Sequence, residues 1–143
     1  MVARRSEAEW RGALREGSGA VSLGSGAFRG RYSFGSRFED ASGTNPEELL
    51  GAAHAACFSM ALSMVLGAAG FQPRSIKTSA VVHISPSGDG FSIPRIDLVT
   101  EGDVPGIDLA TFSEHAQTAR RGCPVSKALA GVEITLDARL AGG

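Results

Sequence analysis

The chain has 143 residues, 14 Lys and Arg against 15 Asp and Glu, a net charge of -1, and only two cysteines. That length suits one domain over 1–143, large enough to bury roughly two-thirds of its unfolded surface. The balanced charge excludes the basic footprint of a nucleic-acid or anionic-membrane binder, so neither is expected as a partner.

In chain order, residues 1–40 read as a β-rich opening. The start, MVARRSEAEWRGALREG, has no apolar run behind its arginines and is not a secretory signal. A cytoplasmic location is therefore expected, in a reducing compartment where cysteines are redox-active or free rather than structural staples. Ala20 to Gly24 alternates weakly, and Gly24-Ser-Gly26 is turn chemistry. Gly30 to Phe38 spaces Tyr32, Phe34 and Phe38 evenly, which predicts the aromatic face of one strand, with Arg37 on its other face. Glu39 to Gly43 is a loop.

Thr44 to Phe71 predicts the long central helix. Thr44 or Asn45 is its N-cap, Pro46 lies in the first turn, and Glu47 and Glu48 sit over the positive end of the dipole. Leu49 to Phe71 then runs for 23 residues without a charge, long enough to span a bilayer. A helix with no charged face must be enclosed by protein or lipid. The carboxylate pair at its start, the interruptions at Gly51, His54, Ser59, Ser63 and Gly67, and the lack of aromatic or basic anchors favour a buried core helix.

Ser75 to Ile84 alternates Ile76, Thr78, Ala80, Val82 and Ile84 on one face. Ser85 to Gly90 predicts a hairpin turn, and Phe91 to Glu101 the partner strand, with Pro94 marking an edge or a bulge. After a loop at 104–108, Leu109 to Arg120 has helical spacing, closing at Arg120, Arg121 and Gly122. Cys123-Pro124 opens a short helix through Ala130, and Val132 to Leu140 is an alternating final strand. The order of elements gives an α+β class.

The two cysteines differ in their local help. Cys123, at a helix entrance before proline, has free backbone N–H groups and a dipole that lower a thiol pKa. Cys57 has neither. Burial alone raises its pKa and makes it inert, so a reactive Cys57 needs a cation brought in by the fold. Glu47 lies within about 80° of the helix face of Cys57. It is too distant to touch the thiol but able to hold an arginine that does, and nothing local says which arginine. On residues alone, Cys57 as a small buried hydrophobe stays open. His54-x-x-Cys57 has the one-turn spacing of two metal ligands, to which His115 and Cys123 could be added. No CxxC or HExxH pattern occurs, and no metal site is expected. Neither a Walker or dinucleotide glycine loop nor a GxSxG elbow is present.

The runs GTNPEELLGAAHAACFSMALS (Gly43–Ser63), VPGID (Val104–Asp108) and GCPVS (Gly122–Ser126) occur in this order. Together they resemble the OsmC branch of the OsmC/Ohr peroxidases, over a span from Trp10 to Asp137. The resemblance implies an OsmC-like fold, with antiparallel sheets packed around a long apolar central helix, in an intertwined homodimer with two active sites at the subunit interface. It implies a thiol peroxidase of the oxidative and osmotic stress response that reduces organic hydroperoxides, with hydrogen peroxide as a second candidate substrate. Cys57 matches the peroxidatic cysteine and Cys123 the resolving one. Arg37, in Ser36-Arg37-Phe38, matches the catalytic arginine and Glu47, in Asn45-Pro46-Glu47, its orienting glutamate. Whether Arg37 serves its own Cys57 or its partner's stays open. No cofactor is bound on this reading; an external dithiol, a lipoyl group on a partner protein, restores the thiols. Phe58, Met60, Phe34 or Phe38 would line an apolar pocket for alkyl hydroperoxides, and His54 would pack or hydrogen-bond rather than transfer a proton. The competing readings are a non-enzymatic binder of apolar small molecules and a thiol redox sensor.

Overall fold

The computed structural model describes residues 1–142, so the expected domain of 1–143 ends on a residue outside the described ones. The chain forms two compact units, Met1–Leu49 and Leu50–Gly143.

In the first unit, β1 (Ser6–Arg11), β2 (Ser18–Leu23) and β3 (Arg29–Tyr32) make an antiparallel meander in the order β1-β2-β3. Gly19 opposes Trp10 on one side and Tyr32 on the other. The two rings close over it, with centroids 5.4 Å apart, and a Cβ there would meet Tyr32 at 2.5 Å. Only glycine leaves room for that aromatic pair.

The strand expected to run to Phe38 stops at Tyr32, and α1 (Phe34–Phe38) follows. Ser33 caps it. The Ser33 hydroxyl accepts from the Ser36 N–H at 3.1 Å and the Ser36 hydroxyl accepts from the Ser33 N–H at 2.8 Å, a reciprocal capping box. Phe34 and Phe38, four residues apart, stack at 5.1 Å on one helix face. Even parity suits a strand, and a separation of four suits a helix, so the aromatic spacing alone does not separate the two. Arg37 is consequently a helix residue.

Helix α2 (Pro46–Ala68) begins at the end of this unit. Asn45 is the N-cap, its side chain accepting from the Glu48 N–H at 2.7 Å, while the Thr44 hydroxyl donates to the Glu48 carboxylate at 2.8 Å. In the second unit, α2 buries Gly51, His54, Phe58, Leu62 and Leu66, a run at three- and four-residue spacing. Ala52, Ala53, Ala56, Met60 and Met64 are exposed on the other side. The helix is long and apolar enough to cross a membrane, and 28% of its most apolar 18-residue stretch is buried within the chain.

The second sheet has the order β4-β5-β6, formed by β4 (Ser75–Ser87), β5 (Gly90–Asp103) and β6 (Glu133–Leu140). Its hairpin turn is tighter than expected: β4 continues through Pro86 to Ser87, leaving Gly88 and Asp89 to turn, with Gly88 at a φ of 58°. Ile93 and Pro94 together lie opposite Ile84, between the pairs Ser85–Ser92 and His83–Arg95. That is the bulge Pro94 predicts, since proline has no N–H to donate to the ladder. β4 and β5 are antiparallel, but β6 runs parallel to β5, so this sheet is mixed rather than wholly antiparallel. The reason is the connection. Helices α3 (Leu109–Gly122) and α4 (Pro124–Ala128) make a crossover, which returns the chain to the same end of the sheet.

Phe58, Leu62 and Leu66 of α2, Ile96 and Leu98 of β5, Phe112, Ala116 and Ala119 of α3, and Cys123 form the core of this unit. Gly102 of β5 packs under Phe112, where a Cβ would lie 2.5 Å from the fully buried ring. Gly102→Ala should lower stability by about 1–3 kcal/mol through overpacking, measured by urea unfolding; an unchanged midpoint would contradict this packing.

Candidate active site

Helix α3 ends at Gly122 because Pro124 has no N–H and forces its predecessor out of helical geometry; Cys123 has φ -58° and ψ 125°. Pro124 then starts α4 with Cys123 as N-cap. This junction sets Cys123, fully buried, against the partly exposed Cys57 midway along α2, with the sulfur atoms 2.9 Å apart and one thiol hydrogen between them. Both cysteines are free.

Their surroundings favour opposite charge states. Burial pushes the Cys57 thiol up, and its hydrogen bond with Cys123 adds to this, against one Val125 N–H that favours the anion. Burial also pushes the Cys123 thiol up, but here it is outweighed: the Cys57 hydrogen bond, the Ser126 N–H and hydroxyl and the Val125 N–H bring it below the usual thiol range. Within the second unit, Cys123 is the easier thiol to ionise.

His54, one turn before Cys57, is fully buried and bonds through Nε2 to the Ser126 hydroxyl at 2.8 Å. Desolvation lowers its pKa, which keeps the ring neutral. His115 stacks beside Phe71, with centroids 6.3 Å apart. Among the described residues, no three His, Cys, Asp or Glu side chains gather as a metal site would require.

In the first unit, Arg37 and Glu47 form a two-bond pair: Nε donates to Oε1 at 2.9 Å and Nη2 to Oε2 at 3.0 Å. The Glu47 side chain is 8% exposed and that of Arg37 36%. Pairing with the guanidinium is what lets the carboxylate be buried. Arg37 also lies over the Phe38 ring at 5.2 Å, and Trp10, Leu14, Tyr32, Phe34, Arg37 and Phe38 line an open cavity of about 230 Å³. Phe34 and Phe38 line this cavity. Phe58 does not, because it is wholly enclosed in the core of the second unit, and Met60 lies on the exposed side of α2.

The resemblance pairs Cys57 with Cys123 and Arg37 with Glu47, and the members of each pair are in contact. Ser126 was missed. Its signal is the spacing Cys123-x-x-Ser126, one helical turn from an N-cap.

The family model for "OsmC-like protein" matches residues 39–137. The chain is 51% identical over 140 residues to the peroxiredoxin OsmC of Escherichia coli strain K12, covering 97% of each chain. It is 34% identical over 96 residues to the organic hydroperoxide resistance protein of Xanthomonas axonopodis pv. citri, covering 66% of each. The crystal structure of the organic hydroperoxide resistance protein OhrB of Bacillus subtilis superposes with a TM-score of 0.74 at 25% identity, over 94% of this chain and 98% of that one.

The sulfur separation is short enough that side-chain rotation closes a disulfide, whose S–S length is about 2.05 Å. Mild thiol oxidation should yield an intramolecular Cys57–Cys123 bridge on non-reducing peptide mapping; only intermolecular bridges would contradict the geometry.

Proposed function

The chain belongs to the OsmC-like protein family, and from that membership we propose that it is a thiol-dependent peroxidase that reduces organic hydroperoxides. The observation that carries this reading is the pair of free thiols in contact, one partly exposed and one buried. A binder of apolar small molecules has no use for such a pair. A redox sensor would share it, but would not turn over repeatedly when a dithiol is supplied.

Cys57 is the peroxidatic thiol in this proposal, because it is the accessible one. Its thiolate attacks the terminal peroxide oxygen and the O–O bond breaks. Cys57 becomes a sulfenic acid and the remainder leaves as an alcohol, or as water from hydrogen peroxide. Cys123 resolves the sulfenic acid into a disulfide. An external dithiol, assigned here to a lipoyl group on a partner protein, reopens it by exchange. No step calls for a bound prosthetic group.

The attack requires an ionised Cys57 in surroundings that raise its pKa, hence a cation. We assign that role to Arg37, oriented by Glu47. In support, the carboxylate occupies Nε and Nη2, which leaves the Nη1 group outside the pair, and the cavity beside the guanidinium has aromatic walls suited to an alkyl chain. The uncharged outer face of α2 supports a homodimer, in which Arg37 acts within its own chain or across the interface. A reducing cytoplasm is the location that fits thiols kept free until peroxide arrives.

Cys57→Ser should abolish peroxide turnover, while Cys123→Ser should consume a single equivalent of alkyl hydroperoxide and stall as a sulfenic acid. Retained turnover in Cys57→Ser would sink the assignment. Arg37→Ala should raise the Cys57 thiol pKa and slow the peroxide step by roughly tenfold or more, in stopped-flow measurements on protein with a retained unfolding transition. Unchanged kinetics would move the role to Arg29 or Arg31.

A further inference from the structure

The peroxidase reading leaves one buried polar group without a task. His54 is fully buried on the core face of α2, in a setting otherwise made of Phe58, Leu62 and Leu66. Its Nε2 bonds to the hydroxyl of Ser126, itself 7% exposed, at 2.8 Å, and its Nδ1 has no partner. A buried ring nitrogen without a hydrogen bond costs stability, and a leucine of similar size would avoid that cost. The arrangement therefore invites a functional account.

Ser126 supplies the link. It stands third in α4, one turn from the N-cap Cys123, and its hydroxyl is among the donors that bring the Cys123 thiol below the usual range. A neutral imidazole has one N–H to place. If it sat on Nδ1, it would be a buried donor with no acceptor, which is rare, and the Ser126 hydrogen would be spent on Nε2. With the hydrogen on Nε2, His54 donates to the Ser126 oxygen and the Ser126 hydrogen is free for the Cys123 sulfur. We propose that His54 and Ser126 form a directed donor chain, Nε2–H to Oγ–H to Sγ, that stabilises the Cys123 thiolate. Both are positioning residues, His54 acting only through Ser126.

The chain rests on the peroxidase reading for its purpose. In the resolving step, the Cys123 thiolate attacks the Cys57 sulfenic sulfur. The S–S bond forms as the S–O bond breaks, and hydroxide leaves with the proton Cys123 had released, as water. In the reducing step, a thiolate of the external dithiol attacks Cys57, and Cys123 departs as the thiolate. In both directions the same sulfur carries the charge.

Within the second unit, the titratable groups on the helices around Cys123 are Cys57 and His54 of α2, Glu114, His115, Arg120 and Arg121 of α3, and Lys127 of α4; Glu114 is exposed and His115 packs beside Phe71. Arg121 and Lys127 are exposed, and Arg120 is engaged by Gln117 and the Ile134 carbonyl. The contribution of Ser126 and His54 can therefore be read separately. In a Cys57→Ala background, the Cys123 thiol is titrated by ultraviolet thiolate absorbance, without peroxide. Ser126→Ala should raise the midpoint by about one pH unit, a roughly tenfold loss of thiolate at neutral pH. His54→Leu should raise it similarly, the double variant no further than either single one, and Ser126→Thr should restore it. His54→Gln, which keeps a neutral donor, should also restore it and stands in if His54→Leu does not fold. An unmoved midpoint in folded Ser126→Ala, or additive shifts in the double variant, overturns the proposal. Because the titration uses no substrate, shifts as expected in a protein that never consumes hydroperoxide would overturn the peroxidase reading and leave the donor chain standing.

Discussion

A thiolate in an apolar setting is unstable unless donors or a cation offset the loss of water, and that constraint organises the chemistry of this chain. The sulfur atoms of Cys57 and Cys123 lie 2.9 Å apart with one hydrogen between them, so at most one carries charge at a time. Local structure settles the preference of the second unit. Pro124 ends α3, creates a helix start at Cys123, and turns the N–H groups of Val125 and Ser126 toward its sulfur. Cys57, in mid-helix, has a backbone already committed to its own hydrogen bonds and receives almost no such help.

The pairing of Arg37 with Glu47 follows from the same physics, applied to a carboxylate. A carboxylate only 8% exposed has lost most of its contact with water, and the bidentate guanidinium gives a hydrogen bond to each of its oxygens. The carboxylate in turn fixes the plane of the guanidinium, so a cation that would otherwise sample many rotamers is held in one orientation beside aromatic walls. Preorganisation of this kind is what makes a charge useful to a reaction rather than merely tolerated.

Helix α2 links these requirements. Its absence of charge lets Phe58, Leu62 and Leu66 close the core beneath Cys57, and it leaves an uncharged outer face bearing Met60 and Met64. One uninterrupted helix thus carries Glu47 in its first turn and Cys57 at its middle.

Much of this was legible in the residues because its causes are local. The N-cap at Asn45, the carboxylates behind Pro46, the bulge at Pro94 and the break before Pro124 each depend on a few neighbouring residues, and each lies where its chemistry predicts. The pairing of Glu47 with Arg37 was reachable only through family likeness, since nothing near Glu47 says which arginine it meets. Local signals failed where two structures fit one pattern: Phe34 and Phe38 satisfy strand parity and helix spacing alike, and the Ser33–Ser36 capping box decided for the helix. The parallel course of β6 depends on the whole crossover of α3 and α4 rather than on its own alternation. The same limit applies to Cys57 beside Cys123 and His54 beside Ser126, 66 and 72 residues apart in the chain. The sequence by itself determined which thiols could react and which helices would hold them. Only the tertiary structure decided which thiol is buried, which is exposed, and which donors face each sulfur, because those properties belong to packing between segments that share no local signal.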